Sequence, residues 1–123
     1  MIITAKDAPT FSQPGLEATG YAAPSRGTRE LSLWRLELAA GEVSPDHSLS
    51  HEEVFLALAG SAVATIDGER HAFGSGDCLV VPPGAAFTLT AGNDGLGAVC
   101  AMAAGGRATL LPDGPTITPP WAA

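Results

Sequence analysis

The stretch HSLSHEEVFLALAG, residues 47–60, crowds His47, His51, Glu52 and Glu53 ahead of an apolar run that ends at Gly60. Imidazoles and carboxylates at this density do one of two kinds of chemistry. They ligate a transition metal, or they pass protons as general acid and base. His47, Leu49, His51 and Glu53 share parity, so a regular strand would turn all four to one face. On such a strand the two histidines stand about 13 Å apart at about 3.3 Å per residue. Metal ligands sit only about 2 Å from their ion. His47 and His51 can therefore share an ion only if the SLS between them turns, whereas His51 and Glu53 can share one without a bend.

Other reactive residue types carry less. No serine has a base at nucleophile spacing, which argues against a hydrolase. Cys78 and Cys100 lie in the apolar runs GDCLVV and GAVCAM. They make neither a disulfide framework nor a zinc motif, lack an electropositive neighbourhood that would activate a thiolate, and are expected to be buried thiols. His71, just after a turn in GERHAF, reads as a solvated strand residue.

The elements that must position these groups are strands. The 123 residues fit one domain able to bury an ordinary core. Hydrophobic residues make up 46% and charged residues 15%, with 15 Gly and 10 Pro, a mixture that favours short elements joined by tight turns. LSLWRLEL alternates with period two. Asp67-Gly68 separates two strand-like runs and predicts a hairpin. No segment has a capped 3.6-residue period. Strands are expected near 31–38, 54–59, 62–66, 69–73, 78–81, 86–90 and 97–103, in a sandwich or barrel. Residues 1–30 read as an extended arm with at most one short edge strand, and residues 105–123 as a Pro- and Gly-rich tail packing on the barrel. The net charge of −7 with only six Lys and Arg argues against nucleic acid and against an anionic membrane. No run reaches transmembrane length and the N-terminus lacks a secretory pattern, so a cytoplasmic location is expected.

Two spacings then carry a resemblance. Gly41, His47, Leu49, Glu53 and Gly60 keep the spacing of G-x-x-x-x-x-H-x-H-x-x-x-E-x-x-x-x-x-x-G. GDCLVVPPGAAFTLTA keeps that of G-x-x-x-x-x-P-x-G-x-x-H-x-x-x-N, from Gly76 through Pro82 and Gly84 to Phe87 and Ala91. Over residues 31–104 the chain resembles the cupin family. The resemblance implies an all-β, antiparallel jelly-roll barrel. In metal-binding cupins two His and a Glu of the first motif and a His of the second hold the ion. The corresponding positions here are His47, Leu49, Glu53 and Phe87, so two of four ligands are hydrocarbon side chains.

Three functions follow from that departure. A cupin with an altered, metal-poor site would bind a small, largely apolar molecule in a pocket of Trp34, Leu49, Phe55 and Phe87. It would serve as a binding protein, or as an isomerase or cyclase with His47 and Glu53 as acid and base. A metal-dependent dioxygenase or isomerase would instead hold weakly bound Zn, Ni, Mn or Fe through His47, His51 and Glu53. A plugged barrel would have only an assembly role. A two-fold homodimer is expected, in which the arm of residues 1–30 or a neighbouring strand pairs with the partner sheet, because open sheet edges need covering.

Overall fold

The computed structural model describes residues 1–123. Ten strands form: β1 (Thr10–Gln13), β2 (Leu16–Ala22), β3 (Leu31–Leu38), β4 (His47–Leu49), β5 (Glu53–Ile66), β6 (Glu69–Gly74), β7 (Cys78–Val81), β8 (Phe87–Ala103), β9 (Ala108–Leu110) and β10 (Thr116–Ile117). Helix is confined to two 3-10 turns, Ala5–Asp7 and Pro24–Arg26, and no helix is long and apolar enough to cross a membrane. All pairings are antiparallel, and the sheet curls on itself as a jelly-roll barrel: β5 pairs β6, β7 and β8, while β8 also pairs β3 and β4.

The expected strands at 54–59 and 62–66 are one strand, β5, and those at 86–90 and 97–103 are one strand, β8. Gly60 and Gly95 explain the difference. Gly60 has φ +73°, and a Cβ on it would lie 2.0 Å from the Gly95 carbonyl oxygen. The two chains pass in contact there, with register shifts between Ala57 and Ala59 and between Gly60 and Ala62. A bulge bends a strand without ending it. The Asp67-Gly68 hairpin forms as its sequence predicts, with φ positive at both residues.

Residues 1–30 hold more order than an extended arm. β1 and β2 form a hairpin, and β2 pairs β3 from Leu16 opposite Leu38 to Ala22 opposite Leu33. The tail is ordered too. β9 pairs β4, and the Trp121 and Ala122 carbonyls accept bonds from Arg26 Nη2 (2.7 Å) and the fully buried Ser32 Oγ (2.8 Å).

Strand pairing lines the interior in rows. Across β3, β8, β5 and β7 run Ser32, Met102, Glu53 and Val81, then Trp34, Cys100, Phe55 and Leu79, all buried. Period-two alternation sends the residues between them outward. Leu33, Ala101, Val54 and Val80 form one outer row, and Arg35, Val99, Leu56 and Cys78 the next. Cys100 is buried as expected, but Cys78 is exposed because β7 turns Leu79 and Val81 inward instead.

Candidate functional site

Glu53 opens β5 and faces inward between two apolar neighbours, Met102 on β8 and Val81 on β7. Its exposure is 6%. Burial pushes its carboxyl up to about 8, and neither a hydrogen bond nor a neighbouring charge contributes. At neutral pH it is a protonated acid. Directly behind it, burial and the proximity of Glu53 raise the Cys100 thiol well above its usual value, so Cys100 is a neutral thiol and no nucleophile.

His47 enters from the opposite wall on β4. Its Nδ1 lies 2.7 Å from the Pro45 carbonyl oxygen. A carbonyl can only accept, so Nδ1 carries the proton and the neutral ring keeps Nε2 as a free acceptor. Burial lowers the His47 pKa, opposed by the Pro45 bond and the Asp46 charge. The ring rests on Phe87, its cross-strand partner, with centroids 4.1 Å apart at 45°. Phe87 in turn meets Phe55 edge-on at 6.2 Å.

These groups surround one cavity of about 280 Å³ whose lining is mostly hydrophobic. Trp34, Leu49, Phe55, Phe87, His47 and Glu53 all line it. His51 does not. β4 ends at Leu49, the chain bends, and His51 is exposed with Nδ1 2.8 Å from Ser50 Oγ. The single straight strand on which all four residues would share a face is not formed. Glu52 is exposed, and His71 is exposed beside Glu69 at 4.0 Å.

The hairpin and the tail close the cavity, which sequence reasoning missed. Gln13 and Leu16 come from the N-terminal hairpin, and Ile117, Pro119 and Trp121 from the tail. Phe11 packs edge-on against Trp121 at 6.5 Å. A large aromatic in the Pro-rich tail ITPPWAA was the available signal, since such a residue needs somewhere to bury.

The donor set does not fit the four-ligand metal centre that the cupin resemblance implies. His47 retains one feature of a metal ligand, a free Nε2 behind an anchored Nδ1. Glu53 retains a carboxyl. At the other two positions Leu49 and Phe87 are hydrocarbon, 3% and 1% exposed. No three His, Cys, Asp or Glu side chains converge as one ion would require.

Comparison with known proteins agrees with the architecture. Residues 34–103 match the family described as Cupin domain. KdgF from a Halomonas species superposes with TM-score 0.72 at 16% identity, covering 84% of this chain and 92% of that one. An RmlC-like cupin from Shewanella frigidimarina superposes with TM-score 0.70 at 17% identity, covering 81% and 86%. A salicylate 1,2-dioxygenase from Pseudaminobacter salicylatoxidans superposes with TM-score 0.67 at 24% identity, covering 76% of this chain but 28% of that one. Identities this low carry the fold alone. No curated protein sequence matches the chain.

Proposed function

This chain belongs to the cupin family, and from that premise we propose that its barrel is an altered cupin site. In this reading it binds a small, largely apolar organic molecule and moves protons on it through Glu53 and His47. The observation that carries the reading is Glu53: a protonated carboxyl without a protein partner, lining an apolar cavity that also holds an imidazole acceptor. Ligand sites have this character, hydrophobic walls with a few placed polar groups.

The chemistry such a pair supports is proton relocation. Glu53 gives its proton to a carbonyl oxygen of the bound molecule while His47 Nε2 takes one from an adjacent carbon. A C–H bond breaks and an O–H bond forms. The enol O–H then returns its proton to Glu53 while His47 Nε2–H delivers its proton to a different carbon of the bound molecule, which leaves an isomer and restores both side chains. A cavity of about 280 Å³ favours this reading over a plugged barrel. Trp34 and Trp121 both line the cavity, so small aromatic fragments that enter it should change tryptophan fluorescence. Ala108→Leu, which fills part of the cavity, should abolish that response. An unchanged response in Ala108→Leu, or none in wild type, counts against the site.

A second reading has one specific support, the free Nε2 and anchored Nδ1 of His47. Weak binding of Zn, Ni, Mn or Fe through His47 and Glu53 would follow, and would require Glu53 to lose its proton.

The same reading includes a two-fold homodimer. β2 of the N-terminal hairpin is paired to the chain's own β3, which leaves only the short, polar edge of β1 open, so the sheet face is the better candidate for association. On that face Leu31, Leu33, Leu56, Leu58 and Val80 are 60%, 38%, 43%, 53% and 50% exposed. The rows Leu33–Ala101–Val54–Val80 and Val99–Leu56 make the patch continuous, and continuous apolar patches mark association surfaces. The Arg35–Glu37 ion pair, at 2.9 Å, gives it a polar edge. A second copy, self-complementary about a two-fold axis, suits a face with so little charge to select another partner.

A further inference from the structure

The charge inventory of the cavity narrows its ligand. The chain's six cationic side chains are Lys6, Arg26, Arg29, Arg35, Arg70 and Arg107, and none lines the cavity. Arg26, which reaches the tail, spends its guanidinium on the Tyr21 and Trp121 carbonyls and on Ser25. Arg35 is paired with Glu37 on the outer face. The only titratable groups lining the cavity are His47 and Glu53. In the inner row of Glu53 (Ser32, Met102 and Val81) and the row beside it (Trp34, Cys100, Phe55 and Leu79), only Cys100 titrates, and it is neutral. A carboxylate or phosphate entering this space would lose its water and meet no countercharge, at a cost of several kcal/mol.

The polar groups that are present suit an uncharged guest. Glu53 offers an O–H donor, and His47 Nε2 an acceptor. Ser44 Oγ accepts the Leu89 N–H at 2.8 Å and so keeps its own proton to donate. Trp34, Phe55, Phe87 and Trp121 supply aromatic walls, which stack flat rings. The volume, about 280 Å³, lies just below the roughly 300–1,000 Å³ of sites for drug-sized ligands, so the guest is about the size of one substituted ring.

From these features we infer that the cavity selects uncharged ring compounds bearing a hydrogen-bonding carbonyl and rejects carboxylates and phosphates of the same shape. The inference rests on the cavity being a ligand site, and the experiment separates the two. Wild-type protein is titrated at pH 6.5 with acetophenone, benzamide and benzoate, three probes of one size that differ in charge and hydrogen bonding. Binding is followed by tryptophan fluorescence and by the NMR resonances of Phe55, Phe87 and Trp34. The neutral probes should bind at least tenfold more tightly than benzoate. In Glu53→Leu, which removes the carboxyl donor, acetophenone should weaken several-fold, and in Glu53→Gln, whose amide keeps a donor, it should not. Benzoate binding as tightly as benzamide, or acetophenone binding undiminished in Glu53→Leu, overturns the selection while leaving a ligand site standing. Failure of all three probes to bind overturns the selection and the ligand site together.

Discussion

His47 and Phe87 are cross-strand partners whose ring centroids lie 4.1 Å apart. The aromatic ring occupies the motif position where a metal-binding cupin carries its last histidine, and it packs on the one histidine of the first motif that is kept. If this contact stands in for coordination, the metal site should return only when both hydrocarbon positions are reversed. Leu49→His/Phe87→His should hold one equivalent of zinc or nickel through dialysis against a chelator, and each single variant should lose it. Both residues are buried, so the double variant without metal should be less stable by about 3 kcal/mol or more. Wild type that keeps one equivalent of metal after the same dialysis would show the altered-site reading to be wrong.

Glu53 predicts a pH dependence of stability with a definite sign. Its folded value, about 8, lies above the ordinary 4.5. The folded state therefore holds a proton that the unfolded state has released, and stability is lost as pH rises through 8. The His47 pKa is lowered from 6.5, so above about pH 7.5 His47 is neutral in both states, and Glu53 governs the window from about pH 7.5 to 9. The loss there should be about 1 kcal/mol by linkage. Glu53→Gln should flatten the curve, measured by urea unfolding at each pH. A wild-type curve already flat over this range would mean that the carboxyl is ionised in the fold.

Gly60 and Gly68 both have positive φ, +73° and +82°, but their surroundings differ. A Cβ at Gly68 meets nothing within 4 Å, while at Gly60 it meets the Gly95 carbonyl. Gly68→Ala should cost about 1 kcal/mol of backbone strain. Gly60→Ala should cost more than about 3 kcal/mol, because β5 or β8 must move as well. Equal melting temperatures for the two variants would contradict the crossing of these strands.

Much of the barrel was legible because its signals are local. Alternation in LSLWRLEL, the Asp-Gly turn and the two motif spacings each act over a few residues. Gly60 misled because positive φ at a glycine looks the same in sequence whether a chain turns or merely bulges. Only the contact with Gly95, 35 positions along the chain, decides between them. The site divides in the same way. His47 and Glu53 lie within one motif and could be found together, but parity alone grouped His51 with them, and the bend after Leu49 separates it. Trp121 and Gln13 reach the cavity from opposite ends of the chain, a placement no local pattern encodes.

Ser32 ties the tail that closes the cavity to β3. Its hydroxyl is fully buried and donates to the Ala122 carbonyl at 2.8 Å. Ser32→Ala leaves that buried carbonyl without this donor, at about 1–3 kcal/mol. Amide exchange near Trp121 should quicken, and fragment binding in the cavity should weaken. Unchanged exchange would mean that the remaining ties, Arg26 and Ser25 to the Trp121 and Ala123 carbonyls and Phe11 against Trp121, hold the tail without Ser32.

The outer face supplies the last test. Leu33 and Leu56 lie on adjacent rows of the exposed patch, and neither lines the cavity. If two copies meet there, light scattering at tens of micromolar should give a dimer mass. Leu56→Asp should convert it to monomer, because a two-fold axis brings the substitution in twice, burying two unpaired carboxylates at one interface. Leu56 is 43% exposed in the single chain, so the fold should tolerate the change, with a circular dichroism spectrum like that of wild type. Removing residues 1–28 gives the contrasting result. It strips the hairpin from β3 and uncovers that strand's edge, which should lower barrel stability or promote edge-to-edge aggregation instead of releasing a clean monomer. A monomer mass for wild type would rule the face out as a self-association surface.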